Sequence, residues 1–129
     1  MRLVIRDVES DASDSTEPVR LKLPLDSVVI EMVNNTDKMC ITGEWYTIEH
    51  RENGKWETLP IKPRKDGTGY ACPSIGYELA AHTSHHFTIH IQPDMYDFEQ
   101  GRDYRIGKEY RVSGEKRPNF VSTTGFSVN

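Results

Sequence analysis

No stretch of the 129-residue sequence approaches the roughly 18–20 consecutive apolar residues that a membrane helix requires, so direct membrane insertion is not expected. The opening, MRLVIRDVESD, lacks the apolar stretch and small-residue cleavage site of a secretory signal. Nor is there a basic surplus: 16 Lys and Arg stand against 20 Asp and Glu, a net charge of −4. That balance offers no electrostatic attraction to nucleic acid or anionic lipid. Cysteine is scarce, with Cys40 and Cys72 alone, and no segment carries a convincing apolar stripe of helical period. Hydrophobic residues make up only 36%, which predicts a thin core. The composition is nevertheless not the aromatic-poor, charge-dominated one of a disordered chain, and the length suits one domain.

What is present is alternation of strand type. LVIRDV (Leu3–Val8) reads as a short leading strand or a tail that pairs with a sheet edge. ESDASDSTEP (Glu9–Pro18) is acidic, rich in Ser, and holds almost nothing a core could use. Residues 1–18 therefore read as a strand or tail plus a flexible linker, and residues 19–129 as the domain. Val19, Leu21, Leu23 and Leu25 alternate with polar positions, giving a half-buried strand that Pro24 confines to an edge or breaks. Val28, Ile30 and Met32 form the next buried face, ended by the turn formers Asn34-Asn35-Thr36-Asp37. Asn53-Gly54, between Trp45–Glu52 and Lys55–Leu59, is the strongest hairpin signal, because both residues tolerate the positive φ of a type I′ turn. That register sets Glu52 opposite Lys55, His50 opposite Glu57, and Arg51 opposite Trp56 as a cation–π pair. Tyr46 with Ile48 and Trp45 with Trp56 fall on opposite faces.

Pro60–Gly76 is punctuated too heavily for a regular element and reads as a long irregular crossing. Beyond it, His85, Phe87, Ile89 and Ile91 mark a strand ended by Gln92-Pro93-Asp94. Tyr104, Ile106, Tyr110 and Val112 mark another, in which Lys108 breaks the pattern and Gly107 is expected to form a bulge. Phe120, Phe126 and Val128 share one side of a last strand, Asn119–Val128. About seven strands separated by turn signals predict an all-β, antiparallel β-sandwich. Phe98-Glu99-Gln100-Gly101-Arg102-Asp103-Tyr104 adds a hydrophobe, a Gly turn and a strand-opening Tyr. This is the arrangement of the tyrosine corner of immunoglobulin-like sandwiches, with Tyr104 and Gly101 in the structural positions.

The order of motifs resembles the bacterial immunoglobulin-like domains of cell-envelope proteins, lipoproteins and secreted proteins. The resemblance is carried by VIEMVNNTD (Val29–Asp37), YTIEHRENGKWETLP (Tyr46–Pro60), FEQGRDYRI (Phe98–Ile106) and the closing FSV (Phe126–Val128), and it covers roughly residues 19–128. Gln100 stands where the family usually has Pro before the Gly, and the Pro60–Gly76 segment is longer than usual. The resemblance implies an extracytoplasmic domain, secreted, periplasmic or lipid-anchored, with no enzymatic activity, no catalytic residues and no cofactor. Met1 leads directly into a strand and the acidic segment, so an export signal upstream of it is expected.

Each candidate for chemistry has a plainer reading beside it. Cys40 and Cys72 would form one disulfide in an oxidising compartment, or remain two free thiols. No oxyanion loop or signature accompanies either cysteine to suggest a Cys–His nucleophile. His82, His85, His86 and His90 crowd together, which invites a zinc reading. However, His86 and His90 would stand about 13 Å apart along a strand, with His85 on the opposite face; solvated histidines are favoured and no metal is expected. The carboxylates show no calcium-loop spacing or paired acid and base. Trp45, Trp56, Tyr70, Tyr77 and Tyr96 lie near turns or strand ends and are the candidate binding-surface residues, against a reading in which they complete a small core. The leading expectation is a binding or structural module at a bacterial cell envelope, contacting protein or carbohydrate through end loops or an edge strand. The alternative is a proteinase inhibitor inserting Asn34–Gly43 or Pro63–Gly76 into a protease cleft. Inhibitors of the chagasin type carry NPTTGY there, and NNTDKM matches it weakly.

Overall fold

A computed structural model describes residues 1–6, 19–21, 27–62, 76–91 and 95–128. Among these residues there is no helix. Eleven strands form: β1 (Arg2–Ile5), β2 (Val19–Leu21), β3 (Ser27–Asn34), β4 (Cys40–Gly43), β5 (Thr47–Glu52), β6 (Lys55–Thr58), β7 (Gly76–Leu79), β8 (Thr83–His90), β9 (Asp103–Val112), β10 (Asn119–Ser122) and β11 (Phe126–Val128). One sheet has the order β1-β3-β8, and the other contains the remaining eight. All pairs are antiparallel except β2 with β11. The acidic segment, Leu23 to Leu25, Pro63 to Cys72 and the Gln92-Pro93-Asp94 turn lie outside the described residues.

The alternating sequence dictates which faces meet. In β3 the buried residues are Val28, Ile30, Met32 and Asn34, every second position, and Phe87 and Ile89 of β8 continue that face. Across the core, Ile48, Tyr104, Ile106, Phe126 and Val128 come from the larger sheet, each almost wholly excluded from solvent. β1 pairs with β3, from Arg2 opposite Val33 to Ile5 opposite Ile30, and Leu3 and Ile5 enter the shared core. The smaller sheet thus takes in chain from both sides of the acidic segment. Asn34, fully buried, binds three backbone carbonyls, those of Lys38, Leu79 and Ala80, and its side-chain oxygen accepts from Thr36. It locks the β3–β4 turn to the β7–β8 turn.

The strand count exceeds seven because β9 is long enough to pair two strands in succession along each side. On one side, Thr42 of β4 faces Tyr110 and Thr47 of β5 faces Gly107. Four residues between those pairs on that side match two on β9, so two extra residues are taken up at the β4–β5 corner, residues 44–46. On the other side, Ser122 of β10 faces Gly107 and Phe126 of β11 faces Tyr104, with three residues between them against two on β9. One extra residue reverses which face the side chains occupy. Consequently Phe120, expected inside with Phe126 and Val128, is 72% exposed while they are buried. Gly107 does not itself supply the extra residue of a bulge: it is the end position of both ladders, opposite Thr47 and Ser122, and the extra residues lie in the partner strands. Glycine is required there by crowding, since a Cβ would come within 2.8 Å of Thr47 Oγ1.

The hairpin forms in the expected register, with Asn53 at φ 54° and Gly54 at φ 77°. Its cation–π partner differs: the guanidinium over Trp56 is that of Arg105, 4.6 Å from the ring centroid, not that of Arg51. Arg105 reaches Trp56 because it is also held by both oxygens of Glu49 at 3.1 and 3.0 Å.

Candidate functional site

At the hairpin end of the sandwich, Tyr104 is fully buried, and its hydroxyl accepts a hydrogen bond from the Glu99 amide at 2.7 Å. Phe98 packs edge-on against its ring, and Gly101 between them has φ 80°. This is tyrosine-corner geometry. Burial raises the pKa of Tyr104, as it does those of Tyr96 and Tyr110. Tyr96 is enclosed between the rings of Tyr46 and Phe98 and is only 5% exposed, so it is a core residue and not a contact residue. Tyr77 is half-buried: it meets Phe87 edge-on, and its hydroxyl donates to the Glu44 carboxylate. Trp56 is half-buried beneath Arg105. Of the described candidates only Trp45 is open, at 45% exposure. Tyr70 and Cys72 lie outside the described residues. Cys40 is a fully buried free thiol on β4.

Trp45 is open because of the β4–β5 corner. The extra residues leave backbone carbonyls without ladder partners, and Lys108 supplies the donors. Its ammonium group donates to Gly43 O at 2.6 Å and Trp45 O at 3.3 Å and lies 4.8 Å from the centre of the Phe87 ring. Lys108, conspicuous in the sequence as a break in the apolar pattern, is therefore an internal brace, only 2% exposed. Thr42 donates to Glu109 O at 2.8 Å, and Tyr46 donates to His90 O at 3.2 Å, so both flanks of the corner are tied down.

Beside this corner a groove of about 420 Å³ runs over the outer face of the larger sheet, lined by Ile41, Gly43, Trp45, Gly76, Glu109 and Arg111 among others. Ile41 lies opposite Arg111, and Phe120 lies opposite Glu109, on either side of β9. Ile41, Trp45 and Phe120 are the large hydrophobics exposed among the described residues, and all three belong to this one face. Phe120 faces outward because of the one-residue offset between β10 and β11, whereas the two extra residues of the β4–β5 corner leave Ile41 and Trp45 on the same outer face.

The histidines do not converge. His82 contacts Asp37 at 2.7 Å, His86 lies 3.5 Å from Glu31, and His85 packs on Phe87. His50, Glu52 and Glu57 bring three ligand-type atoms within 4.8 Å of one another. Arg102 places a guanidinium nitrogen 3.3 Å from His50 Nδ1, so that ring nitrogen already has a cationic neighbour. Of the loops that a protease-cleft inhibitor would use, Asn34–Gly43 is mostly strand and pinned turn, and Pro63–Gly76 lies almost entirely outside the described residues.

Two face-packed sheets, a tyrosine corner and a braced outer face define an immunoglobulin-like sandwich. The chain belongs to the bacterial Ig-like domain family, whose pattern matches residues 9–123. Members of this family are typically non-catalytic and are usually parts of surface or secreted proteins. β11, which lies beyond the matched span, nonetheless contributes Phe126 and Val128 to the core. No curated protein and no solved structure matches the chain.

Proposed function

We propose that this domain is a non-catalytic recognition module of a bacterial cell-envelope or secreted protein, and that it makes contact through the outer face of its larger sheet. The observation that supports this reading is the gathering of Ile41, Trp45 and Phe120 on one face around Glu109 and Arg111. Exposed apolar side chains interleaved with charges mark contact surfaces, and Trp and Arg are the residues on which such surfaces concentrate their energy. Residence outside the cytoplasm is part of the proposal, supported by the family, whose members are usually parts of surface or secreted proteins.

The test combines location with binding. Protease added to intact source cells should cleave the domain, and the purified domain should co-sediment with cell-envelope fragments. The Ile41→Ser/Phe120→Ser double variant should lose that sedimentation while keeping its melting temperature, since both side chains are exposed. A domain protected inside intact cells, or sedimentation that is equal for both proteins, would refute the reading.

A further inference from the structure

Trp45 stands beside a floor that lacks side chains. Gly43 of β4 and Gly76 of β7 lie opposite each other in the sheet, and the groove above them is about 420 Å³, the size of a small-molecule site. Along the same row, past Glu109, comes the exposed ring of Phe120. The groove is thus an open strip lined by Trp45, with Phe120 lying outside it beyond Glu109.

The charges in this strip are available to a ligand. Glu109 and Arg111 are two residues apart on the same face of β9, and no ion pair or side-chain hydrogen bond joins either to another described residue. Glu49 with Arg105 and Glu31 with Arg6, by contrast, are joined to each other and have less left to offer a ligand. A lone carboxylate and a lone guanidinium cancel in net charge, so neither a polyanion nor a polycation is favoured. Together they offer acceptors and a fixed fork of donors. An apolar ring face beside such a pair matches a pyranose, which has a C–H face that packs on an indole and a rim of hydroxyls that both donate and accept. The Lys108 brace holds the corner in place before any ligand arrives, which lowers the ordering cost of binding.

We propose that this groove binds a neutral oligosaccharide, with one pyranose ring on Trp45 and its hydroxyls bonded to Glu109 and Arg111. The proposal rests on the outer face being the recognition surface. It is tested by applying the full 129-residue chain to an array of neutral and acidic oligosaccharides, then titrating the hits into a Trp56→Phe variant, whose remaining tryptophan emission is that of Trp45. Saturable binding of neutral glycans with millimolar to sub-millimolar dissociation constants is expected. It should weaken by at least about tenfold in Trp45→Ala and in Glu109→Gln/Arg111→Met, and change by less than about twofold with added salt. Absence of neutral hits, hits confined to acidic glycans, or binding that survives Trp45→Ala would overturn the proposal. A photo-reactive residue at position 120, activated on intact source cells, separates this failure from that of the recognition surface. A protein adduct abolished by Arg111→Glu would overturn the glycan and retain the surface, and absence of both adduct and sugar binding would overturn both.

Discussion

The two tryptophans share one face of one sheet and have opposite fates. Trp56, on β6, is covered by Arg105, which Glu49 holds through two hydrogen bonds. Trp45, at the β4–β5 corner, has its backbone braced from below by Lys108 and its ring left open above. The same residue type therefore serves as a structural clasp in one half of the face and as a contact platform in the other. What separates them is cover: Arg105, held by Glu49, lies over Trp56, whereas Trp45 is left 45% exposed.

The sharpest way to break this contrast is to remove the brace. Lys108→Ala should cost about 3 kcal/mol in chemical denaturation, because it strands buried carbonyl groups and opens a cavity, and Trp45 emission should shift to that of a mobile indole. A smaller loss is expected on the covered side. Arg105→Ala uncovers Trp56 and leaves Glu49 unpaired, for about 1 kcal/mol, read as a lower denaturation midpoint together with a red shift from Trp56. Smaller still is the effect of acid on the other sheet. Arg6, hydrogen-bonded to Glu31, holds that carboxyl below its ordinary value, with His86 and Ser84 contributing. A depressed folded pKa means that this stabilisation is complete above the unfolded value of 4.5 and is lost as pH falls below it. Melting temperatures measured from pH 6 down to pH 3 should therefore fall less steeply in Arg6→Ala, which has less to lose. The smallest expected effect is that of Trp45→Ala on stability, within about 0.5 kcal/mol; a larger loss would mean that its ring belongs to the core.

The covered half was largely legible in the sequence. Asn53-Gly54 fixes the hairpin and its register, alternation places Val28, Ile30, Met32 and Ile48 inside, and the spacing from Phe98 to Tyr104 marks the corner at the hairpin end. The open half was not. The outward turn of Phe120 depends on one extra residue between β10 and β11, and the corner that carries Trp45 on two extra residues between β4 and β5. Both offsets are measured against β9, a partner distant in sequence, and local alternation carries no record of them. Lys108 gave the one local sign, a cation in a row of core positions, and its reason is visible only once the corner's carbonyls are placed over it. Trp45 itself was legible as a candidate, since a large aromatic near a strand end is a contact residue or a core residue, and the corner decides between the two.

The pairing of β2 with β11 bears on how the domain carries tension. These strands run parallel, Val19 beside Phe126 and Leu21 beside Val128, and one belongs to the incoming chain and the other to the outgoing chain. Once β1 has been drawn away from β3, a pull exerted through the polypeptide on both sides would drag them lengthwise in opposite directions. The three register positions would then have to give way together, instead of opening one after another as a zipper does. A domain tethered in series between an anchor and a load would resist extension at this seam.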